Sequence, residues 1–467
     1  MTVSDPEKIL SRIIFYVLLV VVALSAIPYG TVEPWSVSLF ECTIFALAIL
    51  WIIEGLIGNR WFLPSHHLLW PLLALILFCL AQAMPTELNG REVAGVKMWR
   101  TISADPYQTK LVTLKLLALL LTWGMLLRYT YGKRRLYALI YTLMGIGVAS
   151  ALFGIIRQTT QHGPTGFVLP HLLLGAGYGQ FINKNHFAYL MEMVLGLALG
   201  ILAGRGVRRE QALIYLALAL PVWTALILSN SRGGLFAMLA QALSLGFLFI
   251  SLPARREIKE GIGVTPTFIG HMSRSVIFKV ILLGSLVVLM FVGAIWMGGE
   301  RLATNLGTVP DEVVSVEGSE GASRREIWQA TWQLIKDNPV TGVGFGGYWA
   351  AIPQYHRASG QVTPQEAHND YLELMASGGV VGILLLGWFL VIFTRRARTR
   401  LRMADGFARA ASMGALVGLF GVAVHSFVDF GLHITINALV FVVLLVIAAG
   451  DVGEKGIVSA SAENVRS

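Results

Sequence analysis

The chain has 467 residues, of which 55% are hydrophobic and only 13% are charged. This charged fraction is about half that of an average soluble domain, so the composition excludes an ordinary water-soluble enzyme. The formal net charge is +9. Because the basic residues lie between long apolar stretches, we interpret the charge as a signal of membrane orientation and expect no nucleic-acid partner.

The apolar stretches predict an all-α polytopic membrane protein with about twelve transmembrane helices, since a bilayer core needs about 20 apolar residues per helix. Most connections between the stretches are short. The predicted spans are 11–28, 36–57, 68–84, 111–127, 136–156, 186–204, 212–229, 234–252, 277–297, 379–394, 410–428 and 433–450.

The distribution of Lys and Arg predicts that both termini are cytoplasmic. With the N-terminus inside, most of the 36 basic residues fall in inner segments, as the positive-inside rule requires. The first span has no small-residue cleavage site and leads directly into a second span, so we expect it to be retained. Cys42 and Cys79 both lie in predicted spans, so no disulfide framework is expected.

This topology divides the chain into four parts. Residues 1–297 hold the first nine spans, 298–378 form a large outer loop, 379–450 hold the last three spans, and 451–467 are a cytoplasmic tail. A loop of this length is expected to contain helices of its own.

Two capping patterns lie in the large loop. A Ser-x-x-Glu pattern at 323–326 predicts the start of a helix, and the Asn-Pro pair at 338–339 predicts its end. A second pattern at 363–366 has Pro364 at the first helical position. It predicts another helix that starts there and carries His368 in its first turns.

Two arginines are candidates for binding a phosphate group. Arg232 lies in a Ser-Arg-Gly-Gly segment on the outer side, between the seventh and eighth predicted spans. It could anchor the chain to lipid headgroups, or it could bind phosphate oxygens with both arms of its guanidinium. Arg324 lies at a predicted helix N-terminus, where the backbone favours an anion. A solvated surface charge is the alternative for Arg324.

His368 is the candidate catalytic base. An imidazole titrates near neutral pH and can accept a proton from an attacking hydroxyl. A purely structural histidine is the alternative. Asp370 and Glu373 follow it, but acidic residues are also common in the first turn of a helix.

Other polar residues near the predicted outer face allow more than one interpretation. Asn185, Lys184 and Arg157 could bind a polar headgroup or could serve as ordinary helix-end residues. A further group of polar residues, spaced four apart, comprises His425, Asp429 and His433. They would share a face only in a continuous helix, and Gly431 argues against such a helix. We therefore favour a polar hairpin cap over a metal site for these three residues.

Four patterns in the second two thirds of the chain together resemble the O-antigen ligase and polymerase family of bacterial envelope glycosyltransferases. The first pattern is Asn-Lys-Asn-His-Phe-Ala at 183–188, and the second is Ser-Arg-Gly-Gly at 231–234. The third combines Arg324, four residues before Trp328, with Asn-Pro-Val-Thr-Gly-Val-Gly at 338–344. The fourth is His-Asn at 368–369, followed after nine residues by Gly-Val-Val-Gly at 379–382.

This resemblance implies about twelve transmembrane helices in the bacterial inner membrane, with a large periplasmic loop between helices nine and ten and an active site facing the periplasm. It implies a donor glycan on undecaprenyl diphosphate, transferred en bloc to an acceptor hydroxyl with inversion. By resemblance, Arg232 and Arg324 bind the diphosphate and His368 is the base. Arg157, Lys184, Asn185 and Asn369 are the implied substrate-binding residues.

The acceptor distinguishes the members of this family. A ligase uses lipid A-core oligosaccharide, whereas a polymerase extends a growing glycan, and a related branch glycosylates protein. The nine-residue spacing after His-Asn favours a ligase, while the basic segment at 253–276 and the long outer loop favour a polymerase. The resemblance implies neither a metal nor another cofactor. A transporter is the alternative from another class, but the chain lacks the two matched halves typical of transporters.

Overall fold

The computed structural model is a bundle of helices. It describes residues 6–58, 63–85, 92–93, 96–97, 100–162, 169, 171–172, 177–204, 206–251, 324–356, 364–403 and 406–452. Within these residues, eight helices are long and apolar enough to cross a membrane. The prediction of an all-α polytopic membrane protein is confirmed.

The α-helices are α1 Pro6–Leu24, α2 Pro34–Gly58, α3 Trp70–Ala83, α4 Pro106–Tyr129, α5 Lys133–Thr160, α6 Lys184–Ala203, α7 Arg209–Leu228, α8 Arg232–Ser251, α9 Arg324–Asp337, α10 Tyr348–Ala351, α11 Asp370–Met403, α12 Gly406–His425 and α13 Thr435–Ala449. Short 3₁₀ helices lie at His66–Leu68, Ile352–Gln354 and Gly431–His433. Two-residue strands, β1 Glu92–Val93 and β2 Val96–Lys97, pair in antiparallel fashion.

The predicted spans coincide with helices α1 to α8 and α11 to α13. The ninth predicted span, 277–297, and the first part of the large loop lie outside the described residues. Helix α9 ends at Asp337, directly before the Asn-Pro pair that predicts its end.

The prediction of a helix that starts at 363–366 is wrong. Residues 364–369 are not helical, and α11 begins at Asp370. The cap is Asn369, whose Oδ1 accepts hydrogen bonds from the backbone N–H groups of Tyr371 and Leu372, at 3.0 Å each. His368 therefore lies just before the helix, with a φ of 50°.

Helix α11 contains a break at Gly379, where φ is 57° and ψ is −151°. Only glycine adopts this conformation readily. The loop that follows α9 forms hydrogen bonds with the backbone of α11 on both sides of the break. Val343 N–H donates to Ala376 O at 2.9 Å, and Val380 N–H donates to Pro339 O at 2.9 Å. The buried Gln82 amide donates to Thr341 O and Ser377 O, at 2.7 and 2.9 Å. The break therefore lets the loop after α9 form hydrogen bonds with the backbone of α11, and these bonds anchor the loop.

Helices α6 and α12 pack through small residues at the centre of the bundle. A Cβ added to Gly200 of α6 would lie 2.1 Å from the Cα of Gly414 in α12, and one added to Gly196 would lie 2.5 Å from Gly418 N. Glycines spaced four residues apart allow two helix backbones to approach closely within a membrane. This contact sets the position of the first turn of α6 relative to the segment that follows α12.

Candidate active site

The backbone around His368 is held from two sides. Ala367 N–H donates to the Glu373 carboxylate at 3.0 Å, and the Trp328 indole donates to Ala367 O at 3.0 Å. Trp328 belongs to α9, and the four-residue spacing places it one helical turn after Arg324. One turn of α9 carries both an arginine and the anchor for the segment that holds His368.

The start of α11 is bound to the end of α12. Asp370 N–H donates to Ser426 O at 2.9 Å, and Ser426 Oγ donates to the Asp370 carboxylate at 2.6 Å. The Asn369 amide donates to Phe427 O at 2.8 Å. Asn369 therefore acts on the backbone here, and these bonds bring His368 beside the segment at 426–430.

His368 faces Asp429. Its Nδ1 lies 3.7 Å from Asp429 Oδ1, and the Asp429 side chain is completely buried while that of His368 is 34% exposed. Burial alone would raise the pKa of Asp429, but the imidazoles of His368, His186 and His425 hold it below its usual range. A carboxylate at Nδ1 leaves Nε2 to accept a proton, and it stabilises the imidazolium that forms.

Asp429 also connects two of the sequence patterns. The Asn185 amide donates to the other Asp429 oxygen, and Ser231 Oγ donates to Asn185 Oδ1 at 2.8 Å. Asn183 caps α6, accepting from Asn185 N–H at 2.8 Å. The chain of hydrogen bonds from Ser231 through Asn185 to Asp429 orients the carboxylate that faces His368.

The two candidate arginines line the same cavity. Its volume is about 810 Å³, which is in the range of small-molecule sites. Arg232 and Gly233 come from the start of α8, and Arg324 comes from the first turn of α9. The other lining residues are Phe236, Arg325, Trp328, Gln329, Trp332, Gln333, Lys336, Leu372 and Val428. Within the described residues, every charged group that lines this cavity is basic.

His368 is beside this cavity without lining it. Leu372, one turn after His368, and Val428, next to Asp429, form part of the wall. A Cβ on Gly233 would lie 3.1 Å from Val428, so the start of α8 meets the Asp429 segment here. The arrangement brings the His368 imidazole and a group of basic side chains to one end of the bundle.

A second cluster surrounds His433. Its Nδ1 lies 3.3 Å from Glu366, and its Nε2 lies 3.6 Å from Glu373 and 3.8 Å from Asp370. Burial alone would lower the pKa of His433, but Glu366 and Glu373 raise it to about 10. Burial would raise the pKa of Glu366, but His433 and a hydrogen bond with Glu373 lower it to about 2.

One ligand atom from each of three side chains in this cluster lies within 4.8 Å of the others, so Glu366, Glu373 and His433 could hold a metal ion. The two imidazole nitrogens face different carboxylates, however, and that arrangement suits an imidazolium in ion pairs. The sequence predicts that three residues form one polar cap, but each has a separate partner. His425 pairs with Glu192, Asp429 faces His368, and His433 pairs with Glu366.

The remaining sequence candidates lie away from the cavity wall. Arg157 is buried and donates to Gly179 O and to Gln161 Oε1, at 2.9 Å each, and so supports the turn before α6. Lys184 is exposed at the first position of α6. Neither these residues nor Asn185 and Asn369 line the described cavity.

Several site residues were not predicted from the sequence. Asp429 was recognised only as a cap, because nothing in the linear spacing connects it with His368. The ion pair of His425 with Glu192, at 2.9 Å and fully buried, was likewise missed, although a Glu inside an apolar span is a signal that sequence analysis can use. Arg325 and Lys336 are on the cavity side of α9, which its helical period could have indicated.

Comparison with known families agrees with the sequence patterns. Residues 215–387 match the family model described as O-antigen ligase. A search of curated proteins found no match. The matched range includes Arg232, Arg324 and His368, and it leaves out Asn185 and Asp429. This match supports the resemblance to the O-antigen ligase and polymerase family over residues 215–387.

Proposed function

We propose that this protein transfers a glycan from undecaprenyl diphosphate to an acceptor hydroxyl at the periplasmic face of the inner membrane, as an O-antigen ligase acting on lipid A-core oligosaccharide. The observation that carries the proposal is the shared cavity of Arg232 and Arg324 beside the His368–Asp429 pair. These groups come from four distant parts of the chain, and they could supply the two functions that transfer from a lipid diphosphate requires.

The reaction needs a base for the acceptor. In the proposed step, the acceptor oxygen attacks the anomeric carbon, and His368 Nε2 takes the hydroxyl proton. Asp429 stabilises the resulting imidazolium, because it is a buried carboxylate on the opposite side of the ring. The carbon–oxygen bond to the diphosphate breaks as the new glycosidic bond forms, and attack opposite the leaving group inverts the anomeric centre.

The reaction also needs charge stabilisation for the leaving group. The lipid diphosphate departs with the electron pair of the broken bond, so negative charge grows on its oxygens. The guanidinium groups of Arg232 and Arg324 can bind these oxygens in bidentate fashion. Such preorganised cations stabilise developing charge in the transition state. We propose that they do so without a divalent metal.

The test is an in vitro transfer assay with the purified full-length chain. Its substrates are undecaprenyl diphosphate-linked glycan with either lipid A-core or further repeat units. We expect a lipid A-linked product that His368→Ala reduces by at least about 100-fold, the scale of general-base catalysis. Arg232→Gln and Arg324→Gln should give comparable losses, while exposed His66→Ala, at a separate 3₁₀ helix, serves as the control.

The assay distinguishes the alternatives. A glycan ladder that lengthens without lipid A would make the protein a polymerase with the same donor chemistry. Transfer that survives His368→Ala undiminished would refute His368 as the base. Donor that remains intact but crosses the membrane of sealed vesicles would indicate a transporter and would refute the enzymatic proposal.

A further inference from the structure

The cavity extends along one face of α9, beyond the turn that carries Arg324. Residues three and four positions apart share a face of a helix. The α9 residues on this face of the cavity are Arg324, Arg325, Trp328, Gln329, Trp332, Gln333 and Lys336. They include the first turn of the helix and its last, so the cavity follows α9 over nearly its whole length.

The reacting end of this face is at Trp328. The Trp328 indole binds Ala367 O, directly before His368, and Arg324 is one turn away from Trp328. Lys336 lies eight residues beyond Trp328 in the opposite direction, which is about 12 Å along the helix axis. A diphosphate held by Arg232 and Arg324 is too short to span that distance, so Lys336 must serve a different part of any ligand.

The residues between Trp328 and Lys336 suit a sugar. Trp332 is 48% exposed, and its indole offers a flat apolar surface that can pack against the C–H face of a pyranose. Gln329 and Gln333 lie beside the indoles and provide amide donors and acceptors for hydroxyl groups. A lipid tail would gain nothing from these amides, whereas a glycan would pair with both kinds of group.

The charge of the cavity wall favours a negatively charged sugar. The Lys336 ammonium lies 6.0 Å from the Trp332 ring centroid, over the ring. No carboxylate from the described residues lines the cavity. The Lys336 ammonium lies beside the indole that would pack against a sugar, and it is distant from the proposed diphosphate position. It is therefore available to bind an acidic group on the glycan itself.

We propose that Trp332, Gln333 and Lys336 form a glycan subsite that accepts a sugar bearing a carboxylate, such as a uronic acid, from the donor chain. This inference rests on the proposed function, because it takes the donor diphosphate to lie at Arg232 and Arg324. It adds the chemical class of the glycan, which neither the family nor the motifs specify.

The experiment measures binding to the full chain in zwitterionic nanodiscs with three synthetic probes. The first is a polyprenyl diphosphate without sugars, the second carries a neutral trisaccharide, and the third carries the same trisaccharide with one uronic acid. We expect Lys336→Gln to weaken binding of the third probe about tenfold and to leave the other two unchanged, because only that probe loses a charge-assisted contact. Trp332→Ala should weaken both glycan probes and spare the first.

Control variants distinguish failure of the glycan subsite from failure of the diphosphate assignment. Lys110→Gln, an exposed charge on α4 outside the cavity, should change none of the affinities. Arg232→Gln should weaken all three probes, and if it leaves them unchanged the diphosphate assignment fails with the proposed function. If Arg232→Gln acts as expected but Lys336→Gln alters all probes equally or none, only the subsite is refuted. Displacement of the uronic acid probe by anionic lipid in the nanodisc would identify a headgroup site and also overturn the subsite.

Discussion

Asp429 is the residue on which the hydrogen bonds of the site converge. One oxygen faces His368 at 3.7 Å, and the other accepts from Asn185. Because the Asp429 side chain is fully buried, removing its partners would leave an uncompensated charge, which is costly in a protein interior. This accounts for the presence of polar residues at an otherwise apolar helix end, and it explains how the orientation of His368 depends on residues from α6 and α8.

The His433 cluster allows a prediction about pH at the same scale. The pKa of His433 is raised to about 10 by Glu366 and Glu373, compared with about 6.5 in an unfolded chain. A raised pKa stabilises the folded state fully below the unfolded value, and this contribution is lost as the pH rises towards the folded value. The stability that wild type gains over His433→Gln should therefore decrease steadily between about pH 6.5 and 10.

Thermal unfolding in detergent, measured in parallel on both proteins, checks this prediction. In wild type, Glu366 stays ionised throughout this range, since its pKa is lowered to about 2. A stability difference that rises with pH up to about 6.5 and stays flat above it would show that His433 is neutral in the folded protein.

At the level of elements, the contact between α6 and α12 sets the geometry of the site. The first turn of α6 carries Asn185, and the segment after α12 carries Asp429. A Cβ at Gly200 would meet the backbone of Gly414 at 2.1 Å, so no side chain fits between the helices. Separation of the two helices would move Asn185 away from Asp429.

We expect Gly200→Leu to destabilise the protein by at least about 1–3 kcal/mol, as overpacking does, and to abolish transfer. The matched control is Gly145→Leu on α5, where an added Cβ meets nothing within 4 Å and leucine has the better helix propensity. Melting temperature and transfer activity should fall only for the Gly200 variant. An equal response of both variants would refute the packing argument.

At the level of the whole molecule, the basic residues predict which end of the bundle faces the cytoplasm. Gln365 lies just before α11, and Thr399 lies near the end of that 34-residue helix. The two positions should therefore be on opposite sides of the membrane. Both are exposed, so cysteines placed there can be labelled.

In a Cys42→Ser background, a membrane-impermeant thiol reagent added to intact spheroplasts should label Gln365→Cys. It should label Thr399→Cys only after permeabilisation. Cys79 is buried and should remain unreactive. The reverse labelling pattern would place His368 on the cytoplasmic side and would contradict the periplasmic reaction.

The sequence by itself determined the membrane class and the bounds of most apolar helices within a few residues, while α11 extends nine residues beyond its predicted span at each end. It could do so because apolar length is set by the bilayer and because capping patterns such as Asn-Pro at 338–339 act locally. Pro364 shows the limit of local signals: its capping pattern predicts a helix, but contacts of Glu366 with His433 and of Ala367 with Glu373 accompany a non-helical chain until Asp370.

Only the tertiary structure decided which of these residues lie together. Arg232 and Arg324 share a cavity because the start of α8 meets Val428 after α12 and α9 binds the segment before α11. His368 lies beside Asp429 because hydrogen bonds of Asn369 and Asp370 join the start of α11 to the end of α12. Such pairings depend on contacts between residues far apart in the chain, and linear spacing carries no information about them.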